Sequence, residues 1–314
     1  MGPFILFIQE LLLLYSIALL GYILRKRNIL PPGSEKVLTA LILNVTLPAL
    51  ILFGMDVPFS MENVKQFGWL SLMSSFVLIT SSIIASKTVK KLKPQPSQKN
   101  ALEGIMIFGN QGFLGIAVCF LLFGKEGIFY ATLFNFVYLL MIWTYAIYLF
   151  ARVSKTIPWK NVFFNSGVLA TMFGFILMIL PGTLPTVLSN TLEMTGKPTV
   201  PLSMLLIGVL LGTIPLHQLT SLLINRHLWL ASFYKLILFP LLLVPFVLFS
   251  LPFHLFAVAV LVAGMPSAPT ISMYAEKYGE DASYAAAGVA LSTFFSCLTI
   301  PALYSLLLVI SALA

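Results

Sequence analysis

Gly264-Met265-Pro266-Ser267-Ala268-Pro269-Thr270 falls in the middle of an apolar run at about 253–275, and its reading decides the fold. Two prolines remove backbone donors and clash with the turn before them, so a continuous helix is not expected there. A second interruption, Gly109-Asn110-Gln111-Gly112, sits mid-run in the apolar segment 101–123. Its two glycines let the backbone leave helical geometry at little steric cost. Both runs are long enough for a hydrocarbon core of roughly 30 Å. Unwound backbone at that depth is tolerated only where protein buries it or it lines a watery cavity, so the two breaks are expected to face one another and form a site.

Working outward, the composition is that of a membrane domain. Hydrophobic residues make up 59% and charged residues 9%, with a mean hydropathy of +1.01. A soluble chain carries roughly 25% charged residues. Apolar runs near 4–24, 36–53, 67–87, 101–123, 127–150, 162–181, 198–215, 229–250, 253–275 and 284–312 predict about ten transmembrane helices. The first is too long for a signal-peptide core and is followed by Arg25-Lys26-Arg27, so it is expected to stay as a helix.

The net charge of +8 raises the question of nucleic acid, and placement answers it. Ten spans put fourteen lysines and arginines, from Arg25 to Lys277, in one set of loops and only Lys65, Lys125 and Lys197 in the other. That bias is the positive-inside rule, so the basic charge reports orientation, with both termini outside and the protein in the cytoplasmic membrane. Nucleic acid is excluded as a partner; the lipid bilayer is the expected one. Cys119 and Cys297 stand alone without ligand spacing, and His217, His227 and His254 lie at loop edges, so no metal or other cofactor is expected.

The chain also repeats. Gly21-Tyr22-Ile23-Leu24 recurs as Gly174-Phe175-Ile176-Leu177, and Thr46-Leu47-Pro48 as Thr199-Val200-Pro201, both 153 residues on. Gly109 and Gly264, and Phe123-Gly124 and Tyr278-Gly279, are 155 apart. Several weak matches in order at one period indicate duplication. The period holds about five spans, an odd number, so the halves 1–156 and 157–314 are expected to be inverted repeats, an arrangement typical of secondary transporters with a site at mid-membrane.

The expected site follows from the breaks. Half-helices beginning near Gly112 and Ala268 would aim positive N-terminal ends at it, which suits a small organic anion. Asn110, Gln111, Ser267 and Thr270 add neutral donors, with Gly112, Pro266 and Pro269 shaping the backbone. Gly109 and Gly264 act as hinges, and Pro48 and Pro201 as kinks in the second and seventh spans. Asn44 can turn toward the cavity or form an interhelical hydrogen bond, and Ser203 is its counterpart in the other half. Glu10, the carboxylate well inside a span, is a candidate for coupling. Lys235 and Glu103 read as residues that snorkel to the cytoplasmic face.

Four segments, NVTLPALIL (44–52), FGNQGFLG (108–115), PLSMLLIGVLL (201–211) and GMPSAPTISMYAEKYG (264–279), resemble the auxin efflux carrier family, whose members include plant exporters and bacterial permeases. The likeness runs over essentially the whole chain. It implies an all-α polytopic fold like that of bile-acid symporters and sodium-proton antiporters, with crossed, broken fourth and ninth helices. It also implies a scaffold of helices 1, 2, 6 and 7, a mobile part of helices 3–5 and 8–10, elevator movement and a possible homodimer. Family members move carboxylates such as auxins or dicarboxylates, with a proton or sodium as the possible coupling ion. The plant carriers have a proline at the fourth-span crossover where this chain has Gly109 and Gly112. The short 152–161 loop is like that of the bacterial branch.

Three rivals are weighed against this. A sodium-proton antiporter of the same fold would need acidic residues at the crossover, which holds Gln111 and Ser267 instead. An intramembrane hydrolase would need a nucleophile with an embedded histidine, and none is found at mid-span. A receptor or sensor would be expected to continue into a signalling domain, whereas the sequence stops at Ala314, just after the tenth span.

Overall fold

The computed structural model describes residues 3–151, 166–180, 182–213, 215 and 224–313; the side chains of residues 3–8, 10, 11, 151 and 313 are not among them. Among these residues the protein is all-helical, apart from one isolated antiparallel bridge between Gly109 and Ser267. Among the described residues six helices are long and apolar enough to cross a membrane: Ser34–Met55, Met61–Leu92, Gln111–Phe150, Thr186–Thr213, Arg226–Phe249 and Ala282–Ala312. Shorter apolar helices run over Ser166–Ile179 and Phe253–Ala263. Leu19 and Phe294 are 58% and 70% exposed on helices that are apolar on every side, as expected of surfaces facing lipid rather than water.

The chain divides into two compact units. The first holds residues 1–71, 112–136 and 158–213. Here the Pro3–Lys26 helix packs along Thr199–Thr213, and Leu47–Met55 packs on Ser166–Ile179 and Thr186–Gly196. Glycines set the approach: a Cβ on Gly208 would lie 1.8 Å from the Ala18 carbonyl oxygen, and one on Gly21 would lie 2.2 Å from that of Leu205. Helices in lipid gain little from apolar burial and depend on such close backbone contact. The Thr186–Gly196 helix was expected to be loop. Its sequence is half polar, but it is anchored by the Glu193–Lys197 ion pair and by Gly196 pressed on the backbone at Leu50.

The second unit holds residues 72–111, 137–157 and 214–314. Its centre is built from Lys99–Ile107 and Phe253–Ala263, which pack with the Ala282–Leu313 helix and the segment beginning at Arg226. Every residue from Leu255 to Ala263 and from Ala101 to Ile107 is buried. Both helices end inside protein, so their last carbonyls have no access to water and must find internal donors.

Candidate functional site

Both expected breaks are present. The Lys99–Ile107 helix stops where Phe108 turns extended (ψ 114°), and helical structure resumes as a π turn over Gln111–Gly115. The Phe253–Ala263 helix stops at Gly264 and resumes at Thr270. The intervening strands of backbone pair: the Asn110 N–H donates to the Pro266 carbonyl at 2.6 Å, and the Ala268 N–H donates to that of Phe108 at 2.9 Å. The two proline-restricted and glycine-permitted stretches therefore satisfy one another. Pro266, which lacks a donor, takes part through its carbonyl.

Side chains complete the crossing. Tyr138 donates its hydroxyl to the Gly109 carbonyl at 2.7 Å. Ser267 donates to the Ile105 carbonyl at 2.8 Å, and its own N–H donates to the Ser292 hydroxyl at 3.0 Å. Gln111 and Asn110 are buried, Asn110 to 3% exposure, while Pro269 and Thr270 are half-buried. All of these lie in the second unit; Gly112, half-buried, is the first residue of a segment assigned to the first unit.

Asn44 is exposed and belongs to the first unit, where its amide donates to the Ala40 carbonyl and its Oδ1 accepts from the Ser166 hydroxyl at 2.7 Å. Of its two expected roles, this is the interhelical bond. Pro48 follows a π turn over Ile42–Thr46, and Pro201 sits in the first turn of the Thr199–Thr213 helix, where a missing N–H costs nothing. Glu10 lies within the Pro3–Lys26 helix, and its side chain is outside the described residues, as are His217 and the 152–161 loop.

Two expectations are corrected. Lys235 does not snorkel: it is 2% exposed, and its ammonium donates to the carbonyls of Ala263 at 3.1 Å and Ile107 at 3.4 Å. Those are the last residues of the two helices that end at the crossing. The helix carrying it starts at Arg226, capped by Asn225, so Lys235 lies nine residues in, about 13 Å at 1.5 Å per residue, too deep for its stem to reach an edge. Glu103 is likewise buried and accepts a hydrogen bond from the Tyr145 hydroxyl at 2.9 Å.

Lys235 also accounts for Gly109, where a Cβ would stand 2.8 Å from the ammonium nitrogen and 3.1 Å from the Met265 carbonyl oxygen. The spacing of apolar residues contains no trace of this pairing. A lone lysine deep in a span was the available signal.

Sequence reasoning also passed over Asp56. Buried in the first unit, it accepts from the Leu184 N–H at 2.8 Å and the Ser189 hydroxyl at 2.7 Å, with the Lys125 ammonium 3.8 Å away. The same unit has a cavity of about 270 Å³ lined by Asn63, Gln66, Lys125, Glu126, Phe129 and Tyr130, none of them a crossover residue.

A family model described as membrane transport protein matches residues 6–158 and residues 152–304. The chain belongs to the auxin efflux carrier family. No curated protein matches it. As a member of this family it is a multi-pass membrane transport protein, and the family is one of transporters, not of enzymes. The buried crossing in the second unit is built from Phe108–Asn110 and Gly264–Ala268, within the segments that carried the resemblance.

Proposed function

We propose that the protein is a secondary active transporter of small organic anions, such as auxin-like compounds or dicarboxylates, that binds its substrate where the two broken spans cross. One observation carries this reading: the paired, buried backbone of Phe108–Asn110 and Pro266–Ala268 with Lys235 on the carbonyl ends. Each helix end carries about half a charge, negative at the C-terminus and positive at the N-terminus. The Lys235 ammonium offsets the two negative ends. The positive ends of the segments starting at Gln111 and Thr270 are left without a counter-charge from it, and an anion is the ligand that suits them. The same ammonium disfavours cation exchange at this place, since a second cation would meet like charge.

The transporter is proposed to be ten helices in two inverted repeats. The packing in the first unit supports this, because the first helix packs on the seventh and the sixth on the second, which are the same pair under exchange of repeats. Gly124 and Gly279, matched in sequence, both have positive φ, 60° and 75°. The helices starting at Ser34 and Thr186 also begin 152 residues apart.

Alternating access is proposed to be an elevator movement with helices 1, 2, 6 and 7 as scaffold. These four fall in the first compact unit, and helices 8, 9 and 10 in the second, which favours the division; residues up to 71 and 112–136 group with the first, so the boundary crosses the third, fourth and fifth spans. The orientation proposed is both termini outside a cytoplasmic membrane, from the loop charges.

The test is uptake of radiolabelled mono- and dicarboxylates into proteoliposomes under imposed pH and sodium gradients. Saturable carboxylate transport is expected. Sodium-proton exchange with no organic substrate, and no carboxylate flux, would replace this reading with the antiporter.

A further inference from the structure

We infer that Lys235 is a built-in counter-cation: its ammonium occupies the place at the joined carbonyl ends of the two half-helices that a coupling alkali cation would otherwise fill, so that the carrier needs no sodium. The transport consequence rests on the organic-anion reading above; the competition with a cation does not.

Transporters with broken helices coordinate sodium through unwound carbonyls and the C-terminal ends of half-helices. In this protein two such ends, Ile107 and Ala263, converge on one point, and both carbonyls accept from the Lys235 ammonium. The lysine is reached from a π turn over Tyr234–Leu238, and the missing side chain at Gly109 makes its seat. Neither ion pair among the described residues, Lys125–Asp56 or Lys197–Glu193, includes it. Its charge is therefore balanced by carbonyl dipoles, as a bound alkali ion would be. Two half-charges facing one ammonium sum to about zero, and a sodium ion added to the same carbonyls would leave an excess of about one positive charge in a buried place.

The experiment is thermal unfolding of the purified full chain in detergent, at constant ionic strength, in sodium chloride or choline chloride. Wild type is expected to melt at the same midpoint in both. Lys235→Ala in choline should melt about 5–10 °C lower, having lost a buried cation from two carbonyls. It should then recover part of the loss, saturably, on titration with sodium chloride or with ethylammonium chloride, whose small ammonium fits the vacated stem. A lysine with a merely structural role would give the loss without the cation-specific recovery, and that result overturns the inference. So does saturable stabilisation of wild type by sodium, a measurement that needs no variant and decides the matter if Lys235→Ala does not fold.

Transport separates the two proposals. Carboxylate uptake that requires a sodium gradient leaves the carrier reading standing and removes the counter-cation. Cation-rescued melts without carboxylate uptake do the reverse.

Discussion

Replacing Gly109 by alanine tests the geometry of the crossing with one methyl group. The added Cβ would meet the Lys235 nitrogen at 2.8 Å, its Cε at 2.9 Å and the Met265 carbonyl oxygen at 3.1 Å. An ordinary contact needs about 3.5 Å, so the ammonium must retreat by roughly 0.7 Å. The lysine tip is flexible, but it is held. Its bond to Ile107 is already at 3.4 Å and would be lost, and the 3.1 Å bond to Ala263 would be stretched. Hydrogen bonds to charged groups contribute about 1.5–3 kcal/mol each, so one lost and one weakened amount to roughly 2–4 kcal/mol. At about 2–4 °C per kcal/mol, the apparent melting midpoint should fall by about 4–16 °C.

Gly112 is the internal control, three residues on, where an added Cβ meets nothing within 4 Å and alanine should be neutral or slightly stabilising. Detergent-solubilised wild type, Gly109→Ala and Gly112→Ala would be compared by intrinsic fluorescence at one fixed scan rate, because unfolding of such a protein is expected to be irreversible. Midpoints for the two alanine variants within about 1 °C of each other would refute the reasoning, since only the methyl at position 109 meets the Lys235 ammonium and the Met265 carbonyl.

Other substitutions probe the remaining contacts. Gly208→Val should abolish the monodisperse peak in size-exclusion chromatography, because its Cβ would sit 1.8 Å from the Ala18 carbonyl, whereas Gly68→Ala, with open space around it, should leave the profile unchanged. Asp56→Ala removes the acceptor for the Leu184 N–H and the Ser189 hydroxyl and should cost about 3 kcal/mol. Lys125→Ala removes a partly exposed ammonium that donates to the Asp56 carbonyl at 2.7 Å and stands 3.8 Å from its carboxylate, and should cost less, about 1–2 kcal/mol; equal shifts in the two melts would contradict that ranking. Asn110→Ala should weaken binding of an established carboxylate substrate about tenfold or more while the melting midpoint holds; unchanged affinity removes Asn110 from the site.

What was legible in the sequence was whatever acts locally. Proline and glycine change their own backbone, so Gly109–Gly112 and Gly264–Pro269 announced their breaks without any knowledge of neighbours. The fold class followed from hydropathy, which is a property of each run taken alone. Misplaced elements were those held by remote partners. Thr186–Gly196 is polar enough to read as loop, and the contacts that hold it, Gly196 on the backbone at Leu50 and the Ser189 hydroxyl on Asp56, lie far away in sequence. Asp56 gave no signal because its partners, Leu184 and Ser189, are more than a hundred positions away.

The same distinction explains the error over Lys235, and it bears on how the crossing works. From sequence, the eighth span was placed three residues late, which brought the lysine close enough to an edge to snorkel; the Asn225 cap moves the start back to Arg226 and the lysine inward. A buried ammonium with no carboxylate partner among the described residues looks unfavourable until the two helix ends it serves are identified. Those ends exist only because both spans break at the same depth, and the breaks carry in turn a demand for positive charge at the carbonyl side. The lysine and the breaks therefore form one electrostatic unit: a sequence with the glycines and prolines but an apolar residue at position 235 would have to recruit a cation from solution to hold the same crossing together.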